Sequence, residues 1–346
     1  MKWEVYVYFG DMRKEFREIN RLAAIMKRQV LKALFILLTI KTWGQTYEIT
    51  AYHPDTAKYS KKVTDENYSF MFTPPGVIKI TPKFFCDQQE LGNVHWREYM
   101  FWTKQIYGEN SMEYLATLPD STVWLKEDSC LSSYVNNYLK HPAYDLFPLV
   151  GVTQQQAAAY SKWRSDRVFE GLLVQLNKIE WDSAQSSNNY FTIEKYFNDT
   201  ASINYRAEKV KYYPNYRLPT LADRQQILHY ADSVDNAYFN KCRSKYCRER
   251  KANFPGFYSD VKFCDTSKLS SGPTISTYEH YSAEKGYPIY NLRGNVSEWA
   301  TEDSISFGGG WINSRERILL SDSFQVAVPN AWTGFCNVCV WKRWKE

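Results

Sequence analysis

Asn291-Leu292-Arg293-Gly294-Asn295-Val296-Ser297-Glu298-Trp299 lies where the regular periodicity of the chain gives out. Beyond about Ala231 there are few long periodic runs, and Gly, Asn, Ser and aromatic residues are frequent. The stretch reads as a structured turn. Gly294 permits a tight bend, and Asn291 and Glu298 set side-chain oxygens at its two ends. Long ordered loops are uncommon in compact domains, so this half of the chain needs metal ions or disulfides to hold it.

Upstream the sequence is more regular. Val77-Ile78-Lys79-Ile80 reads as a short strand after the Thr73-Pro74-Pro75-Gly76 turn, and Phe84-Phe85 continues the sheet. Asn93 is expected to cap a helix whose Trp96, Tyr99, Met100, Thr103 and Tyr107 fall on one face. Thr153 and Gln156 form a capping box that opens a second helix, with Ala157, Tyr160 and Ser161 on its inner face and Trp163 alongside. Tyr216-Arg217-Leu218-Pro219 is extended, and Thr220 with Asp223 opens a third helix to about Ala231. Residues 171–212 form a long insertion of mixed character. No internal repeat is apparent.

The 346 residues allow one large domain or two ordinary ones. A net charge of +5 is mild, and the densest basic stretch, Lys241 to Lys251, reads as a solvated loop. Nucleic-acid binding is not expected. Near the N-terminus, Met26-Lys27-Arg28 precedes an apolar run from Val30 to Ile40. That run is shorter than the roughly 20 residues of a transmembrane helix. It fits a signal peptide over residues 26–44 with cleavage after Gly44, which makes residues 1–25 a segment upstream of the true start. No cysteine follows the apolar run, so no lipobox is seen. The chain is expected in the periplasm, in association with the outer membrane, with residues 45–69 as a lead-in. Seven cysteines suit an oxidising compartment.

Six segments occur in a fixed order: Glu90-Leu91-Gly92-Asn93, Phe147-Pro148-Leu149-Val150-Gly151-Val152, Tyr216-Arg217-Leu218-Pro219-Thr220, Arg293 to Trp299, Phe307-Gly308-Gly309-Gly310-Trp311, and Thr333-Gly334-Phe335. Together they resemble the signatures of the formylglycine-generating-enzyme (sulfatase-modifying-factor) domain over residues 70–340. His141-Pro142-Ala143-Tyr144, Trp163 to Val168 and Asn189 to Tyr196 are similar to the gliding-motility lipoproteins J and K of Bacteroidota, which carry such an insertion. The resemblance implies an α+β fold, a variant of the C-type lectin fold with much irregular loop structure.

It also implies a calcium site. Calcium takes six to eight oxygens in a flexible shell, and the family's spacing is matched by Asn291 and Glu298 with the carbonyls of Gly294 and Val296. A second set would be Asn253, the Phe254 carbonyl and Asp265. The catalytic relatives bind copper(I) through a cysteine pair between the Gly-Gly-x-Trp turn and the Gly-Phe segment. The corresponding stretch, Asn313 to Ala331, contains no cysteine. Soft thiolates are what copper(I) requires, so no copper is expected and the chain reads as a pseudoenzyme. Cys242, Cys247, Cys336 and Cys339 are disulfide candidates, with a zinc site or a redox role for Cys336-x-x-Cys339 left open. The five histidines show no local metal-ligand spacing.

The resulting expectation is a non-catalytic interaction or scaffold protein, with partners in the gliding and type IX secretion machinery. The alternatives are an oxidase with a relocated cysteine site and a secreted calcium-dependent ligand-binding module.

Overall fold

The computed structural model describes residues 40–42, 45–47, 73–198, 209–241, 289–313, 317–318 and 321–344, with only the backbone considered for 40–47, 232 and 234–241. The chain divides into the units Met1–Pro54 and Asp55–Glu346. In the first, β1 (Ile40–Thr42) pairs antiparallel with β2 (Gln45–Tyr47). The expected upstream segment, and the signal peptide apart from residues 40–42, lie outside the described residues.

The second unit mixes sheet and helix. β3 (Val77–Thr81) and β4 (Phe84–Asp87) form where the alternating apolar residues predict them. They join β5 (Tyr212–Arg217) and β10 (Val338–Arg343) in an antiparallel sheet of order β3-β4-β10-β5. A second sheet, of order β8-β7-β6-β9, comes from the loop-rich half: β6 (Ser297–Trp299), β7 (Ile305–Phe307), β8 (Ser323–Gln325) and β9 (Thr333–Gly334). The pairing of β6 with β9 is parallel.

The longer helices are α1 (Asn93–Tyr107), α5 (Gln154–Gln175) and α7 (Leu221–Lys241). Between them lie the short α2 (Met112–Leu115), α3 (Val123–Glu127), α4 (Ser132–Asn137) and α6 (Ile193–Asn198). The box at α5 forms as expected: Thr153 N–H donates to Gln156 Oε1 (2.8 Å) and Gln156 N–H to Thr153 Oγ1 (3.0 Å). At α7 the Thr220 amide and hydroxyl both donate to Asp223 Oδ2, and the Asp223 amide donates to Thr220 Oγ1. That helix runs ten residues past the expected Ala231.

The start of α1 differs from expectation. Gly92 holds the cap position without a side-chain bond. The first amides are met by distant carbonyls instead, Asn93 N–H by Phe147 and Val94 N–H by Asp145. Asn93 is thereby free to donate Nδ2 to the carbonyls of Tyr138 (3.1 Å) and Tyr144 (2.9 Å).

The main core gathers the family signatures. Trp96, Leu149, Val152, Tyr160, Trp299 and Phe335 form one buried cluster. Trp96 stacks on Tyr160 (centroids 5.6 Å apart) and meets Phe335 edge-on, and the Trp299 indole N–H donates to Val152 O (3.0 Å). Gly334 is packed so closely that an added Cβ would lie 2.5 Å from the carbonyl oxygen of Leu149. The insertion builds its own satellite core from Phe169, Leu173, Ile179, Phe191, Ile193 and Tyr196. β5 lies at the edge of its sheet. Ser165 of α5 bonds that edge, accepting from Tyr216 N–H (2.8 Å) and donating to Tyr216 O (3.3 Å).

Because Thr153 satisfies the first turn of α5, Thr153→Ala is expected to lower the unfolding free energy by about 1 kcal/mol. Thr153→Ser should restore most of it. A shifted urea midpoint at constant slope would register the change.

Candidate functional site

The quoted loop wraps a carboxylate. Glu90, between β4 and α1, is 1% exposed. Its Oε2 accepts from Asn291 Nδ2 (2.9 Å) and Asn295 Nδ2 (3.0 Å), and its Oε1 from Val296 N–H (3.4 Å). The loop curls through positive φ at Asn291 (45°), Gly294 (84°) and Asn295 (57°). Asn and Gly are the residue types that tolerate this conformation. Burial pushes the Glu90 carboxyl well above its usual range, against the pull of the three N–H donors.

At the far end of the loop, Glu298 is held by two other groups. Its Oε2 accepts from Arg224 Nη1 (3.2 Å), and its Oε1 from the Cys336 thiol (2.6 Å). Arg224 reaches in from α7 and is 2% exposed. It also donates Nε to Asp322 Oδ2 (2.6 Å), Nη2 to Asp322 Oδ1 (2.9 Å) and Nη2 to the Leu292 carbonyl (2.5 Å). Burial raises the Glu298 pKa, and the Arg224 charge opposes this.

The loop does bring Asn291, Gly294, Val296 and Glu298 together. In the calcium reading Gly294 and Val296 would bind through main-chain carbonyls and Asn291 through Oδ1, which is buried. The Asn291 amide turns an N–H to Glu90, and both Glu298 oxygens take protein donors, one of them cationic. Glu298 therefore already has a cationic partner, Arg224, where the calcium reading places the metal. Among the described residues there is no group of three or more His, Cys, Asp or Glu side chains able to hold a metal. The second expected set, Asn253, Phe254 and Asp265, lies outside the described residues.

Cys336 and Cys339 are free thiols, as is Cys86. Cys336, just before β10, and Cys339, within it, lie on opposite sides of the sheet. Cys339 packs with Val77, Phe85 and Tyr216 on one face of the sheet. Val338 packs with Phe84, Cys86 and Ile227 on the other, and Cys336 lies on that same side, lining a cavity with Cys86. Burial, first of all, raises the pKa of all three thiols. Cys130, not among the candidates, is disulfide-bonded. Cys242 and Cys247 lie outside the described residues.

The cavity beside Cys336 and Cys86, walled also by Arg224 and Glu298, holds about 20 Å³. That is room for about one water molecule. A larger groove of about 520 Å³ runs between α5, α6 and β5, with Gln155, Lys162, Glu194, Tyr213, Asn215 and Trp344 along it. Its volume is that of a small-ligand site. Sequence reasoning missed this groove and the roles of Glu90, Arg224 and Asp322. The one local signal was a charged residue one position after the Asp223 of the α7 box.

Glu90→Gln is expected to destabilise the domain by about 1–3 kcal/mol, because the new amide turns an N–H toward groups that are themselves donors. Chemical denaturation measures this. An unchanged midpoint would show that the loop does not depend on the carboxylate.

A family model described as sulfatase-modifying factor enzyme 1-like domain matches residues 45–339. No curated protein matches the chain. Among solved structures, the chain is similar to Treponema denticola variable protein 1 at 14% identity, covering 74% of this chain and 84% of that one, with a TM-score of 0.35. It is also similar to the protein in a crystal structure of CarF at 18% identity, covering 74% and 86%, with a TM-score of 0.37.

Proposed function

The chain belongs to the sulfatase-modifying factor enzyme 1-like domain family, and on that premise we propose that it is a non-catalytic member that works by binding partners in the cell envelope. One observation carries the reading. The stretch that supplies the copper-binding pair in the catalytic relatives, Asn313 to Ala331, has no cysteine, and the free thiols of the described residues do not replace it. Copper(I) and nucleophilic chemistry both need thiolates. Cys336 is instead hydrogen-bonded to Glu298, Cys339 is buried on the opposite face of the sheet, and burial keeps both protonated. The space at Cys336 admits a water molecule and not a peptide.

Binding is supported by the insertion. It is built onto the domain through its satellite core, and it contributes Ile193 and Glu194 to the groove beside α5. The envelope setting rests on the leader-like residues 26–44 and on the likeness to gliding-motility lipoproteins J and K. The same groove favours a second reading, a secreted small-ligand-binding module. Among the described residues no helix is long and apolar enough to cross a membrane.

Two measurements test the proposal. Copper(I) titration should show no tight binding, and incubation with a cysteine-containing sulfatase-type peptide should give no aldehyde. Binding together with aldehyde formation would establish an oxidase with a relocated site. An envelope pull-down is expected to recover secretion or motility components, and recovery of none would remove the scaffold reading.

A further inference from the structure

We infer that Arg224 is the resident cation of the Asn291–Glu298 loop, doing with a guanidinium what the family's spacing assigns to calcium. The argument rests on what Arg224 gathers. Its contacts are the Glu298 carboxylate, both oxygens of Asp322 and the main-chain carbonyl of Leu292. A carbonyl and a carboxylate from the 291–298 loop and a carboxylate from Asp322 are the hard oxygen donors a calcium ion would draw together. The guanidinium is fixed in charge and planar, with five N–H groups in a rigid fork. Four hydrogen bonds are formed here by a guanidinium that is itself 2% exposed.

The surroundings are shaped to this group. Gly308 has φ of 81°, and a Cβ there would lie 2.9 Å from Leu292 O and 3.1 Å from Arg224 Nη2. The absent side chain is what lets the guanidinium reach the carbonyl. Charge also balances. Glu298 and Asp322 carry two negative charges, and Arg224 is joined by Arg293, whose Nε lies 3.9 Å from Asp322 Oδ1. The remaining acids are dealt with separately: Glu90 by its three N–H donors, and Asp87 by Arg164 Nη1 (2.8 Å) and the Asn337 amide (2.7 Å). A calcium ion on Glu298 would have to share that carboxylate with a buried positive charge. The loops are therefore held without a metal. This inference is independent of whether the chain is catalytic.

The test is thermal unfolding of the full chain in excess chelator and in millimolar calcium, with calcium titration calorimetry alongside. The expected result is one melting temperature in both solutions and no heat of binding. Arg224→Gln should lower the melting temperature by about 5–15 °C, since it strands the buried Glu298 and leaves the half-buried Asp322 without its main partner. Adding Glu298→Gln to that variant should restore part of the loss. A fall in the wild-type melting temperature on chelation, saturable calcium binding, or an Arg224→Gln protein as stable as the wild type would each overturn the assignment. If Arg224→Gln does not fold, the wild-type chelation and calorimetry arms decide alone.

Discussion

Two carboxylates buried at opposite ends of one loop set the terms for the rest of this domain. A charge taken out of water must find donors or remain protonated. Glu90 and Glu298 find theirs in different directions. Glu90 draws Asn291, Asn295 and Val296 onto the segment between β4 and α1, while Glu298 draws in α7 through Arg224 and the end of the Gly-Phe segment through Cys336. A nine-residue stretch without helical or alternating pattern is thereby tied to both halves of the chain. Neither tie is local, and each would fail if its partner segment shifted by one residue.

Around these ties the aromatic core supplies the bulk attraction. Large rings bury much apolar area, and tilted or edge-on pairs add to it. Trp96, Tyr160 and Phe335 come from α1, α5 and the C-terminal Gly-Phe segment, and they meet in one cluster with Trp299 of β6. The polar ends of the indoles are satisfied on carbonyls, Trp96 on Thr117 and Trp299 on Val152. Hydrophobic burial thus sets which elements are neighbours, and the buried acids set their register.

What could be read from the sequence was whatever its neighbours in the sequence decide. The boxes at Thr153 and Thr220 involve residues three apart, and both form. The order of signatures identified the domain, and the alternation of Val77–Ile80 marked its strand. Asn93 was misjudged because carbonyls some fifty residues away took over the task a cap performs. Cys336 and Cys339 are close in sequence yet lie on opposite sides of the sheet, which their spacing alone does not show. Beyond its place next to Asp223 in the α7 box, nothing local marked the role of Arg224, since its partners are Leu292, Glu298 and Asp322, about seventy to a hundred residues later. Spacing alone could show that loop oxygens converge, but not which cation meets them.

The outer flank of β5 bears on how this protein can meet others. An exposed strand invites a foreign chain to continue the sheet. Here Pro214 has no amide to offer, and the outward amide of Tyr216 is taken by the Ser165 oxygen, whose own O–H is shared between Ser161 O (2.9 Å) and Tyr216 O (3.3 Å). Growth of the sheet by accretion is blocked on that side. A visitor to this flank must be recognised by shape and by the chemistry of exposed groups such as Lys162 and Glu194. That favours selective docking over indiscriminate stickiness.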